Sequence, residues 1–508
     1  MAFTRFLRKQ TLRECRGAAC PRLGTRGLGA QSPRPQARAS SASTFTAHLS
    51  KNWECIILRC RRRRQERVGM LRKSWDKLRT TVLSASEVSF VKELEVLLQE
   101  NGSLSAGDML PMITKREIYS RDMGICVENR RIVAVSARYC RLTSLPSSID
   151  ELSNLQHLDL TGNQLVALPE SLGSLSHLRK LFLDENQLTA LPETLGNLKN
   201  LRELHVNANK LEALPATLGK LVRLKTLYAY NNRLTSVPET ISQLLHLKEI
   251  SLGHNALLAL PASFWQLLNL RSLNIAENQF SALPADIGNL TNLHTLDLGH
   301  NQLTELPETL GELTNLTFFL YLSDNRLTQL PEALFVDLKK LRYLNVTDNQ
   351  LTTLPASLGN LASLTELRLY NNRLISLPAS LGKLAHLQEL HVMNNQLAAL
   401  PEALGALKEL KELRLANNKL TSLPTSLGKL ACLTHLDLRT NRLMTLPRSL
   451  NKLESLRFLD LRANRLVALP AQINALKRLE KLDLRWNKVV SFPKRFAQLE
   501  ERGCSVYR

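Results

Sequence analysis

Eight cysteines and eleven histidines are the side chains of this chain best suited to nucleophilic catalysis or metal binding, and their spacing argues against both. Cys15, Cys20, Cys55, Cys60, Cys126, Cys140, Cys432 and Cys504 are scattered. Their nearest pairs are too wide for a zinc site and lack neighbouring histidines. Cys504 has no base near it in sequence, so no thiolate nucleophile is expected there. His157, His205, His391 and His435 fall on well-separated segments, too far apart to share a metal, and read as surface histidines. The phosphate-binding spacing GxxxxGKS/T, the zinc-protease HExxH and the nucleophile turn GxSxG do not occur in a context that would make them work. We therefore expect no catalytic residue, no cofactor, no metal and no small-molecule substrate.

The chemistry that remains is recognition. Aromatic side chains and arginines supply most of the binding energy of protein interfaces. Here they gather unevenly at equivalent positions of a repeated segment: Phe182, Tyr228 and Tyr230 first, then Phe319, Tyr321, Tyr343 and Tyr370 with Arg368, His391 and Met393 beside them. A third group, Arg439, Arg462 and Arg485 with Trp486, alternates with Asp437, Asp460 and Asp483. Its two readings are a self-neutralising surface network and a charged docking strip.

These residues must be positioned by the repeat that carries them. LQHLDLTGNQLVALPESLGSLSH, 155–177, returns in paraphrase from Leu178 and again from Leu201, and a fixed period of this size signals a solenoid. Sixteen repeats start at Ile132, Leu155, Leu178, Leu201, Leu224, Leu247, Leu270, Leu293, Leu316, Leu341, Leu364, Leu387, Leu410, Leu433, Leu456 and Leu479. In LxxLxLxxN the leucines alternate along a short strand, so they enter the core while the residues between them look outward. The asparagine that follows can bond backbone groups left unpaired by the turn. Each second half, LPxxLGxLxx, opens a short helical turn at its proline. The expected architecture is an α/β solenoid, a curved horseshoe with a parallel concave sheet and helical turns on the convex side. One repeat, 316–340, has 25 residues instead of 23. Its extra residues read either as a change of curvature that makes a platform or as an insertion absorbed in loops.

The flanks differ from the array. Residues 1–80 carry 20 of the 67 lysines and arginines against four acids, so most of the net charge of +22 lies there. Residues 1–85 are expected to be a basic, disordered segment. The first 50 have the composition of a mitochondrial transit peptide; the other readings are a disordered basic tail, or upstream sequence that is not normally translated, with Met70 as the working start. RRRRQER at 61–67 suits a nuclear-import or anionic-surface patch, and without aromatics for base stacking it reads first as a solvated arm, so nucleic acid is not the favoured partner. Residues 86–131 read as an N-terminal cap, with Val88, Val91, Leu94, Leu97 and Leu98 on one helical face and a hairpin around Glu128–Arg131. Repeats fill 132–501, and 502–508 is a tail. No apolar run approaches the length of a membrane span. The dispersed cysteines suit a reducing compartment, so the cytoplasm is expected, or the mitochondrion if the first 50 residues act as a transit peptide.

The units typified by LRELHVNANKLEALPATLGKLVR, 201–223, resemble the 23-residue leucine-rich repeats of the intracellular Ras-related group, which includes the Ras suppressor and Ras–Raf scaffolds. The resemblance covers 132–501. It implies a non-catalytic scaffold that binds a protein on its concave face, with a small GTPase or signalling enzyme as the partner class. A substrate-recognition part of a ubiquitin-ligase system and a basic-arm nucleic-acid-associated protein are the alternative readings.

Overall fold

The computed structural model describes residues 82–120, 122–490, 492 and 496–508. The basic segment, its transit-peptide reading and the arginine run at 61–67 lie outside the described residues. The account below concerns the body formed by the rest of the chain.

A 16-residue helix, α1 (Ala85–Glu100), opens it. Ser84 caps the helix, accepting from the Glu87 amide while the Glu87 carboxylate accepts from the Ser84 amide. Phe90, Val91, Leu94 and Leu98 are buried against the first repeats. Two glutamates on the same face are buried as well. Both act on backbone: Glu95 Oε1 accepts from the Leu110 amide at 2.6 Å, and Glu87 Oε1 accepts from the Ile132 amide at 2.9 Å. The second bond ties the helix to the first residues of the repeat array.

Strands β1 (Met123–Glu128) and β2 (Arg131–Ala137) form an antiparallel hairpin. Asn129 and Arg130, both at positive φ, make its two-residue turn. From β2 onward every repeat contributes one strand, from β3 (His157–Asp159) through β17 (Lys481–Asp483), each paired in parallel with the strands of the repeats before and after. The result is an open sheet in chain order. It ends on β18 (Ser505–Tyr507), which pairs in parallel with β17. Residues 502–508, expected to be only a tail, thus supply a last strand. The short helix α2 (Ala497–Glu501) precedes it, and Leu499 and Cys504 are buried between them and the last repeat. The apolar Val506 explains why: one more strand covers the edge that the last repeat would leave open.

The opposite side of most repeats is a five-residue 3₁₀ turn such as Glu193–Asn197, entered from a proline held in extended conformation, and in the irregular repeat it shortens to four residues, Glu332–Phe335. Successive turns approach so closely that glycine is demanded by space. A β-carbon on Gly405 would lie 2.4 Å from the Ser426 carbonyl oxygen. Two repeats substitute a large residue there, Trp265 and Phe335, and both are buried.

The asparagine ladder binds repeat to repeat. Asn186 Oδ1 accepts from the Leu165 amide at 3.0 Å, and its Nδ2 donates to the carbonyls of Leu160 and Leu183. The pattern recurs down to Asn487. The residue before each asparagine is left-handed, with φ between 51° and 60° from Glu185 to Trp486. The irregular repeat does not interrupt this order. Its strand β10 (Phe319–Tyr321) keeps register with Thr295–Asp297 before it and pairs with Leu344 and Asn345 after it, so the extra residues are absorbed outside the strand.

Candidate functional site

The central residue of each strand from β3 to β17 is a buried leucine or isoleucine, so its two neighbours face the other way and form the open face of the sheet. The residues singled out from the sequence fall on this face in three groups.

The first surrounds β10 and β11 (Tyr343–Asn345). Phe319 packs on Tyr321 with ring centres 4.8 Å apart, and Tyr321 packs on Tyr343 at 5.0 Å. The Arg368 guanidinium, on β12 (Glu366–Arg368), lies 5.4 Å from the Tyr343 ring centre, while its Nε donates to Glu366 Oε1 at 2.5 Å. Burial pushes the phenol pKa values of Tyr321 and Tyr343 up, so both hydroxyls keep their protons. The side chains are half-buried and held in place by one another. Phe319 is an exception to the expectation: at 4 % exposure it supports Tyr321 and has almost no surface of its own. The extra residue before the strand turns Phe318 out instead. Tyr370 and Met393 are half-buried beside this group, whereas His391 is buried at 7 % exposure and offers little contact area.

The second group is larger than the sequence reading allowed. Phe182 stacks on His205 at 4.4 Å and meets His157 edge-on at 5.1 Å; His205 continues to Tyr228 at 4.7 Å, and Tyr119 of the cap closes the row on His157 at 5.2 Å. The Tyr228 hydroxyl donates to Glu249, and the Tyr230 hydroxyl donates to Glu277 at 3.0 Å. His157 was expected at the surface, but it is buried, because Tyr119 of the cap covers it. Both its ring nitrogens are buried without a hydrogen-bond partner, and burial lowers its pKa to about 4. Column arithmetic could have found this row, since Phe182, His205 and Tyr228 are spaced by one repeat.

In the third group each arginine is held by the aspartate two residues before it: Arg439 by Asp437 at 3.3 Å, Arg462 by Asp460 at 2.6 Å and Arg485 by Asp483 at 2.6 Å. Arg462 also reaches Asp483 at 3.5 Å. Arg485 lies over the rings of Trp486 and Tyr507, and Trp486 stands out at 71 % exposure. His435, expected to be a surface histidine, and Phe458, not singled out from the sequence, stack at 4.5 Å in a shallow cleft beside these aspartates. Cys504 is buried and its pKa is raised mainly by that burial, the opposite of what a nucleophilic thiol needs. No described helix is long and apolar enough to cross a membrane.

Comparison with known proteins agrees with this architecture. The family described as "Leucine-rich repeat region" matches residues 170–260 and 260–336. The family "Leucine rich repeat" matches 138–188, 319–374, 385–443 and 408–466, and a two-copy version matches 362–405. No curated protein gives a match. Among solved structures, a leucine-rich-repeat protein of Leptospira interrogans is 36 % identical, covers 73 % of this chain and 94 % of its own, and superposes with a TM-score of 0.67. A TDR receptor is 29 % identical with a TM-score of 0.57, covering 71 % of this chain and 68 % of its own. The plant peptide hormone receptor RGFR1, solved in complex with RGF2, is 27 % identical with a TM-score of 0.50, covering 70 % and 74 %. Proteins of this kind serve as protein-interaction scaffolds, and by its repeats, its sheet and these matches the chain belongs to the leucine-rich-repeat family.

Proposed function

We propose that the protein is a non-catalytic scaffold whose open sheet face binds a protein partner, with the contact centred on Tyr321, Tyr343 and Arg368. The observation that supports this centre is the mutual packing of the three side chains on adjacent strands. Preorganised rings and a guanidinium lose little conformational freedom when a partner covers them. The 23-residue repeat's likeness to the Ras-related group supports a small GTPase or a signalling enzyme in the cytoplasm as the partner class. The plant receptor's complex with RGF2 is a precedent for a peptide partner on this fold.

The test is affinity capture with the full chain and with two triple variants. One carries Tyr321→Ala, Tyr343→Ala and Arg368→Ala; the other carries Phe182→Ala, His205→Ala and Tyr228→Ala. The first should lose the captured partners, with circular dichroism unchanged, while the second keeps most of them. An identical partner set from the first variant and the wild type would remove this centre from the reading.

A further inference from the structure

The strongest unassigned cluster lies beside the aromatic centre, on β12, β13 (Glu389–His391) and β14 (Glu412–Arg414). Parallel register aligns Glu366, Glu389 and Glu412 in one column and Arg368, His391 and Arg414 in the next. The outer carboxylates have cations: Glu366 is held by Arg368 and Glu412 by Arg414. The middle row breaks the pattern. There Glu389 faces an imidazole, and the three carboxylates outnumber the two guanidiniums by one negative charge.

His391 is the second observation. Its side chain is 9 % exposed, and its Nε2 is buried with no hydrogen-bond partner although Glu389 Oε2 is 3.4 Å away. A buried nitrogen without a partner carries a desolvation cost that a ligand could relieve. If Nε2 is the lone-pair nitrogen of the neutral ring, it is aimed at a carboxylate, which is repulsive until a cation lies between them. Neutral imidazole is the form that binds metals. One ligand atom from each of Glu389, His391 and Glu412 lies within 4.8 Å of the other two, the one such group of three among the described residues. Donors about 2.1 Å from a tetrahedral ion stand roughly 3.4 Å apart, so modest side-chain rotation would close the site. Glu389, the most exposed of the three at 41 %, leaves an approach from solvent.

We propose that Glu389, His391 and Glu412 form a mononuclear site for a divalent transition-metal cation of the Zn²⁺ type, with its remaining position open on the sheet face. One imidazole and two carboxylates suit such an ion better than Ca²⁺, which takes six to eight oxygens. The spacing of histidines alone hid the site, because its other ligands are glutamates on the same and the next strand.

Isothermal titration of the full chain with ZnCl₂ tests the proposal, alongside Co²⁺ as a spectroscopic probe and CaCl₂ as a competitor. The wild type should bind one equivalent of Zn²⁺ that CaCl₂ does not displace, and its Co²⁺ form should show d–d bands without a thiolate charge-transfer band. His391→Ala should abolish that equivalent. Glu389→Gln, nearly isosteric and at a half-exposed position, should weaken it by about tenfold or more, and His435→Ala should leave it unchanged. Absence of binding in the wild type, retention of the same equivalent in folded His391→Ala, or thiolate bands in the Co²⁺ spectrum would each overturn the assignment.

Discussion

Asn372→Ala gives the sharpest measure of how the strand face is held. Asn372 is 7 % exposed, its Oδ1 accepts from the Leu351 amide at 3.0 Å, and its Nδ2 donates to the carbonyls of Val346 at 2.9 Å and Leu369 at 3.1 Å. Alanine deletes these three bonds and a longer one from Nδ2 to the Tyr370 carbonyl at 3.3 Å. An orphaned buried amide costs about 1–3 kcal/mol, and carbonyls, with two lone pairs, tolerate the loss better, so we expect roughly 2–5 kcal/mol in total. The neighbouring Asn371→Gly is the control. Asn371 is left-handed at φ 56° and its side chain donates to Asp348 and accepts from Asn394 at the surface, so glycine keeps the backbone and removes only exposed contacts. Urea unfolding followed by circular dichroism gives the comparison. Because long repeat arrays can unfold in parts, amide exchange at Leu351 and Val346 should be read as well. Protection should fall there first, in the repeats that carry Tyr343 and Arg368. If Asn372→Ala shifted the urea midpoint no more than Asn371→Gly, the ladder would not be a main source of cohesion between repeats.

Two further outcomes follow from buried groups. His157 has its pKa lowered from 6.5 to about 4, with Lys180, Arg138 and His205 adding to the effect of burial. The unfolded chain therefore takes up the proton first as pH falls, and stability should drop between about pH 6.5 and pH 4 by up to about 3 kcal/mol from this residue. His157→Phe should flatten that part of the stability–pH curve relative to wild type, and parallel curves from calorimetry would refute the assignment. Glu87→Ala removes the helix capping box and leaves the Ile132 amide without its acceptor, a loss of roughly 2–4 kcal/mol confined to the cap. Hydrogen exchange should quicken at Ile132 and through α1 while the repeats beyond Leu201 stay protected; uniform quickening would contradict a local clasp.

Repetition made the fold legible. A leucine at a fixed place in every repeat has one physical use, and the sheet order, the strand per repeat and the asparagine bonds follow from that pattern. The site was less legible, for a reason visible at single residues. Outward position is a property of the repeat, but exposure depends on the neighbours. Phe319 and His157 both occupy outward positions, and both are buried, one beside Tyr321 and one beneath Tyr119 from the cap. Glu87 is the same lesson in reverse: an acid on a helix of the cap, buried because an amide 45 residues later needs an acceptor. Chemistry on a sheet of this kind is therefore set by columns as much as by rows. A histidine read along the chain has no partner within reach, yet across the register His391 has arginines on both sides and a glutamate on its own strand, and Phe182 has a histidine on either side. Searching such chains for residues one repeat apart, or two residues apart on a single strand, is the reading that recovers these groups.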